Sequence, residues 1–93
     1  MNGEPLKQTV RITNPQGFHM RPAAAFATRA KQFPGDVHVV KDDQRVDGKS
    51  VLELLCLAAL PGSELTIEVS GPDAGPALDA LVEIVNTPAE EPA

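Results

Sequence analysis

A histidine and an arginine stand two residues apart in Gly17-Phe18-His19-Met20-Arg21-Pro22-Ala23, just ahead of a run of helix-forming residues. Pro22 fits the first turn of a helix, where its missing N–H has no partner to lose, and Ala23-Ala24-Ala25-Phe26 continue the helix readily. The spacing predicts a helix that starts between Met20 and Pro22, with His19 at or just before its N-cap. Free N–H groups converge at such an end, and the helix dipole places roughly half a positive charge there, so it attracts anions. The same field, with Arg21 beside it, disfavours imidazolium and favours a neutral ring with one nucleophilic nitrogen. Histidine forms covalent intermediates, and phosphoryl transfer asks mainly for position and for positive groups around the equatorial oxygens. The chemistry this segment suits is acceptance of a phosphoryl group on His19 and its onward transfer. A histidine before a helix can equally serve only as a cap or point into solvent, and His-x-Arg-Pro alone does not separate these uses.

GFHMRPAAAF resembles the active-site segment of the HPr family, the small histidine phosphocarriers of the bacterial phosphoenolpyruvate-dependent phosphotransferase system. Gly48-Lys49-Ser50-Val51-Leu52 resembles that family's regulatory-serine helix, and Pro61-Gly62 followed by Glu64-Leu65-Thr66-Ile67 resembles the entry to its last strand. The likeness runs from about Lys7 to Asn86, with the three segments in the family's order and spacing. It implies that His19 takes phosphate from phosphorylated enzyme I and gives it to enzyme IIA-type domains that serve sugar uptake. It also implies that Arg21 stabilises charge, that Gly17 and Pro22 set the geometry, and that partners dock on Met20, Lys49, Val51, Leu52 and Leu55. Leu54 and Leu57 match core positions. Ser50 matches the serine that HPr kinase/phosphorylase modifies in some branches. A carrier of this kind is regenerated in a relay and is not an enzyme on its own; the expectation is a monomer with no metal and no organic cofactor.

Two residues depart from the family pattern. Met20 stands where a small residue, usually alanine, is expected between the histidine and the arginine, and its flexible thioether changes how a partner packs. Glu53 replaces a neutral or basic residue one turn beyond Ser50, where its charge would repel a phosphate. Ser50 and Glu53 also form the S-x-x-E pattern of a capping box, which gives the serine a structural use. Two rival readings stay open: a regulatory relative that reports phosphorylation state to a kinase, transcription regulator or nitrogen-related pathway, and a noncatalytic ferredoxin-like interaction module in which His19 is only a cap.

The elements that must position these residues are legible from periodicity. Thr9 to Thr13 alternates, with Val10 and Ile12 on one face, which is the period of a half-buried strand, and Asn14-Pro15-Gln16-Gly17 breaks it. Ala23, Phe26, Ala27, Ala30 and Phe33 recur at helical steps until Pro34-Gly35. Val37 to Lys41 and Gln44 to Asp47 read as a hairpin turning at Asp42-Asp43. Ser50 to about Leu60 is helical in composition, Leu65, Ile67 and Val69 mark the next strand, and Asp73 or Gly75 opens a helix with Ala77, Leu78, Leu81, Ile84 and Val85 on one face. The order βαββαβα, with one polar face on the clearest strands, predicts an α+β open-faced β-sandwich: a four-stranded antiparallel sheet with three helices on one face. Periodicity alone would also admit a ferredoxin-like relative. The second helix has almost no polar stripe, so part of its apolar surface is expected to be exposed.

Composition bounds the rest. The 93 residues are read as one domain over 1–86 with a disordered tail over 87–93. A net charge of -5 argues against a nucleic-acid or anionic-membrane role, and no apolar run approaches the ~20 residues of a membrane span, which with the lack of a signal-peptide pattern reads as cytoplasmic. The single cysteine, Cys56, excludes an intrachain disulfide, and its apolar neighbours suggest a partly buried thiol. Gly48-Lys49-Ser50 imitates a P-loop ending, but Asp43 occupies the position of the required earlier glycine, so nucleotide binding is rejected. The aspartates at 36, 42, 43 and 47 fit no EF-hand, and His38 is read as a structural or solvated histidine.

Overall fold

The computed structural model describes residues 4–87. The elements are β1 (Leu6–Arg11), α1 (Met20–Ala30), β2 (Val37–Lys41), β3 (Gln44–Asp47), α2 (Val51–Cys56), β4 (Glu64–Val69) and α3 (Ala74–Asn86). The strands form one sheet in the order β1-β4-β2-β3, antiparallel at every pairing. The gap between β1 and β2, left by the crossover through α1, is filled by β4, with β3 hairpinned to the far side of β2. That insertion of the last strand separates the fold from a ferredoxin-like one and answers the ambiguity left by periodicity.

Alternation puts Val10, Val37, Val39, Val46, Leu65, Ile67 and Val69 on the covered face, all buried. Against them α1 sets Phe26, Ala27 and Ala30, α2 sets Leu54 and Leu57, and α3 sets Ala77, Leu81 and Val85. Small alanines on α1 and α3 allow these helices to approach the sheet closely, which suits a core with few aromatic rings. The opposite face is polar. Thr9 and Thr66 hydroxyls share a hydrogen bond of 2.8 Å, and Glu68 takes Arg45 at 3.1 Å and Lys7 at 3.9 Å. His38 lies on this open face with Nδ1 accepting from Arg45 at 3.3 Å, a structural contact as expected.

Several boundaries differ from the sequence expectation. β1 starts at Leu6, three residues before Thr9, because β4 is long enough to pair with it down to Val69. α1 closes at Ala30, and single bonds from Gln32 to Arg29 and from Phe33 to Ala30 tighten the last turn before Pro34. α2 ends at Cys56, not near Leu60: Ala58 takes a left-handed φ of 51°, and the residue before Pro61 is disfavoured in helical backbone. Cys56 is exposed, because Leu54 and Leu57 take the inward face of this short helix. In the β2–β3 turn Asp42 adopts φ 55°, a conformation that aspartate tolerates better than most residues. The expected tail lies outside the described residues from 88 onward, and Thr87 closes α3 by donating its hydroxyl to the Glu83 carbonyl at 2.7 Å.

Candidate functional site

The segment between β1 and α1 is held from both sides. Gly17 N donates to Asn14 O at 2.8 Å, which makes a tight turn, and Phe18 N donates to Ala59 O at 2.9 Å, which ties the turn to the chain after α2. Phe18 is buried, with its ring edge-on to Phe26 at 6.0 Å. His19 follows directly, so its backbone is anchored one residue from the core. Gly17 has φ 75°, and a Cβ there would sit 2.6 Å from Ala59 O and 3.4 Å from Leu60 Cα. Both the conformation and the space exclude a side chain. Gly17→Ala is therefore expected to cost roughly 2 kcal/mol, from left-handed strain plus displacement of the 58–61 turn, read as a lower urea midpoint at unchanged m.

His19 is the N-cap of α1, with extended backbone, and its carbonyl accepts the first helical bond from Ala23 N at 3.0 Å. Met20, Arg21 and Pro22 fill the first turn, so Pro22 gives up no helical hydrogen bond. The imidazole makes no capping bond to the helix, so its ring is not spent on the helix N-terminus that it stands beside. The first turn holds no acidic residue, and Arg21 is exposed on it. An anion beside the half-buried ring would thus meet backbone donors, the dipole and a guanidinium together.

Asn14 was not singled out by sequence reasoning, which read Asn14-Pro15 only as a strand break. It is 9% exposed, and its Nδ2 donates to His19 Nε2 at 3.5 Å while its Oδ1 accepts from Gln16 N at 3.1 Å. The signal was the Asn-Pro pair itself, since asparagine before a turn bonds its own backbone two residues on. Leu60 was missed as well. It is 69% exposed and its Cα lies against Gly17, so it borders the histidine segment.

The expected docking residues divide. Met20 is exposed beside His19, Leu52 is 77% exposed, and Val51 and Leu55 are half-buried against the core. Lys49 Nζ donates to Phe33 O at 2.9 Å, three residues beyond the end of α1. The Lys49 ammonium is therefore held just beyond the end of α1 opposite to His19, a helix of eleven residues away. The Ser50 hydroxyl accepts from Glu53 N at 3.2 Å as a capping box requires, but the reciprocal half is changed: the Glu53 carboxylate accepts from Asp47 N at 2.9 Å. Ser50→Ala should cost about 1 kcal/mol, measured by thermal unfolding, with the loss confined to the cap. Among the described residues no cluster of His, Cys, Asp or Glu could hold a metal ion, and no helix is long and apolar enough to cross a membrane.

The family model described as "PTS HPr component phosphorylation site" matches residues 6–87. The chain belongs to the HPr family. It is 41% identical over 81 residues to the phosphocarrier protein HPr of Neisseria meningitidis, covering 87% of this chain and 91% of that one. The HPr-like protein Crh of Bacillus subtilis is 36% identical over 80 residues, covering 86% and 94%. The crystal structure of an HPr from Bacillus anthracis superposes with a TM-score of 0.83 at 35% identity, over 88% of this chain and 98% of that one. HPr proteins are phosphocarriers of the phosphotransferase system, and the open-faced sandwich with helices on one side is the fold this chain shares with them.

Proposed function

We propose that His19 accepts a phosphoryl group from phosphorylated enzyme I and donates it to enzyme IIA-type domains. The observation that carries this reading is an imidazole held at the N-terminus of α1 by Gly17, Phe18 and Asn14, spent on no capping bond and with Arg21 in the turn that follows. Nε2 faces Asn14, so Nδ1 is the ring nitrogen left for phosphorus. Arg21 and the Met20 and Arg21 amides stabilise the equatorial oxygens, and Pro22 fixes the turn that presents them. Partners dock on the apolar surface that includes Met20, Leu52, Val51 and Leu55, where the exposed Met20 and Leu52 add area on binding and the half-buried Val51 and Leu55 tie that surface to the core.

The decisive test is intact mass after incubation with phosphoenolpyruvate and enzyme I. One acid-labile phosphoryl group supports the reading, and no adduct with enzyme I from the same organism sinks it. The likeness to an HPr-like protein, Crh, supports regulation as a second reading. In that reading Ser50 is the modified residue, and the Glu53 carboxylate, held on Asp47 N beside the same cap, opposes the added phosphate.

A further inference from the structure

Asn14 is a buried side chain whose orientation is settled by its neighbours. Oδ1 accepts from Gln16 N at 3.1 Å; turning the amide over would point Nδ2 at that N–H, donor against donor. The backbone carbonyl of Asn14 is also engaged, by Gly17 N at 2.8 Å, and Pro15 fixes the chain between these two bonds. The amide therefore presents a donor, not an acceptor, to His19 Nε2 at 3.5 Å. That length is the outer limit of a hydrogen bond, and contacts of this kind tighten when the reacting complex forms.

We propose that Asn14 is a positioning residue that turns Nδ1 of His19 toward the phosphoryl donor and, by meeting Nε2 with an N–H, slows release of the group once it is bound. The proposal rests on His19 being the acceptor. Release breaks the P–N bond, returns its electron pair to Nδ1 and forms a new bond from phosphorus to the incoming nucleophile, a water or the next acceptor. With a proton on Nε2 the ring departs as neutral imidazole; without one it departs as an anion, a much poorer leaving group. A donor at Nε2 stabilises the unprotonated nitrogen, so the phosphorylated carrier keeps its cargo longer. An acceptor in the same place would do the reverse.

The surroundings leave this effect legible. The 14–17 turn and the 58–62 turn that packs beside it carry no titratable side chain, and Arg21 is the charged residue on the adjoining first turn. On α2 and its approach, Lys49 is held by Phe33 O and Glu53 by Asp47 N. Substituting Asn14→Asp would keep one oxygen for Gln16 N and turn the other toward Nε2.

The experiment follows loss of the phosphoryl group by phosphorus NMR between pH 5 and 9 in the wild type, Asn14→Asp and Asn14→Ala, each first phosphorylated with phosphoenolpyruvate and enzyme I. The adduct in the wild type must be present before release is read, so failure of the acceptor reading shows itself separately. Asn14→Asp is expected to release about tenfold faster near neutral pH, with its profile displaced to higher pH, because a carboxylate within contact distance favours the protonated ring. Asn14→Ala is expected to fall between the two and to carry part of its phosphate on Nε2. Profiles and phosphorylated nitrogen identical to wild type in both variants would overturn the proposal. Should the aspartate variant fail to fold by circular dichroism, Asn14→Ala decides by the same two readouts.

Discussion

Replacing His19 by alanine is expected to abolish phosphoryl acceptance outright while leaving the fold intact. The side chain is half-buried and makes no capping bond, and its hydrogen bond to Asn14, at 3.5 Å, is long. The backbone contacts that shape the segment, Gly17 N to Asn14 O and Phe18 N to Ala59 O, do not use the imidazole. Circular dichroism and the urea midpoint should therefore move little, by less than about 1 kcal/mol, and intact mass should show no adduct at any enzyme I concentration. Arg21→Ala makes the useful contrast. It keeps the nucleophile and removes one positive group from the phosphoryl oxygens, so the rate of acceptance should fall about a hundredfold while the final adduct remains one phosphate. An adduct that persists in His19→Ala would place the acceptor elsewhere and leave the N-terminal turn of α1 as scaffold.

The candidate site was written into the sequence as local chemistry. The types of Gly17, His19, Arg21 and Pro22 constrain backbone within a few residues, and the helix begins at Met20, inside the predicted window. The β2–β3 hairpin and β4 were equally local: strict alternation over Glu64–Val69 leaves one face for the core, and the valine-rich β2, which buries Val37 and Val39, runs into β3 through Asp42-Asp43. What was not legible depends on contacts between distant segments. The end of α2 is set by Ala58 and by the carbonyl of Ala59 reaching Phe18 N, and nothing near Ala58 in sequence favours a left-handed residue there. Leu60 next to Gly17 and Lys49 on Phe33 O are likewise products of packing. The capping box at Ser50 shows both sides of this. Its local half formed as the pattern requires, while Glu53 found a better donor in Asp47 N, supplied by the end of β3.

Phe26→Ala should produce the largest loss of stability, roughly 3–5 kcal/mol out of the ~5–15 kcal/mol typical of a domain, with a drop in Tm of 15 °C or more by the usual scaling for ~90 residues. Phe26 is fully buried, and aromatic rings are rare here, so few neighbours are large enough to move into the space. Its ring supports two parts of the molecule at once. It takes Phe18 edge-on at 6.0 Å, and a Cβ at Gly48 would come within 3.2 Å of it, so it packs against the chain leading into α2 as well. Phe26→Leu retains most of the buried volume and should cost less than half as much, which separates a cavity effect from a general intolerance at this position. Because Phe18 immediately precedes His19, loss of its partner should also slow phosphoryl acceptance at temperatures where the variant is still folded. A stability loss under about 1 kcal/mol, or an unchanged acceptance rate in a variant that is destabilised as expected, would mean that the Phe18 anchor does not depend on this ring and that Ala59 O alone holds the segment in place.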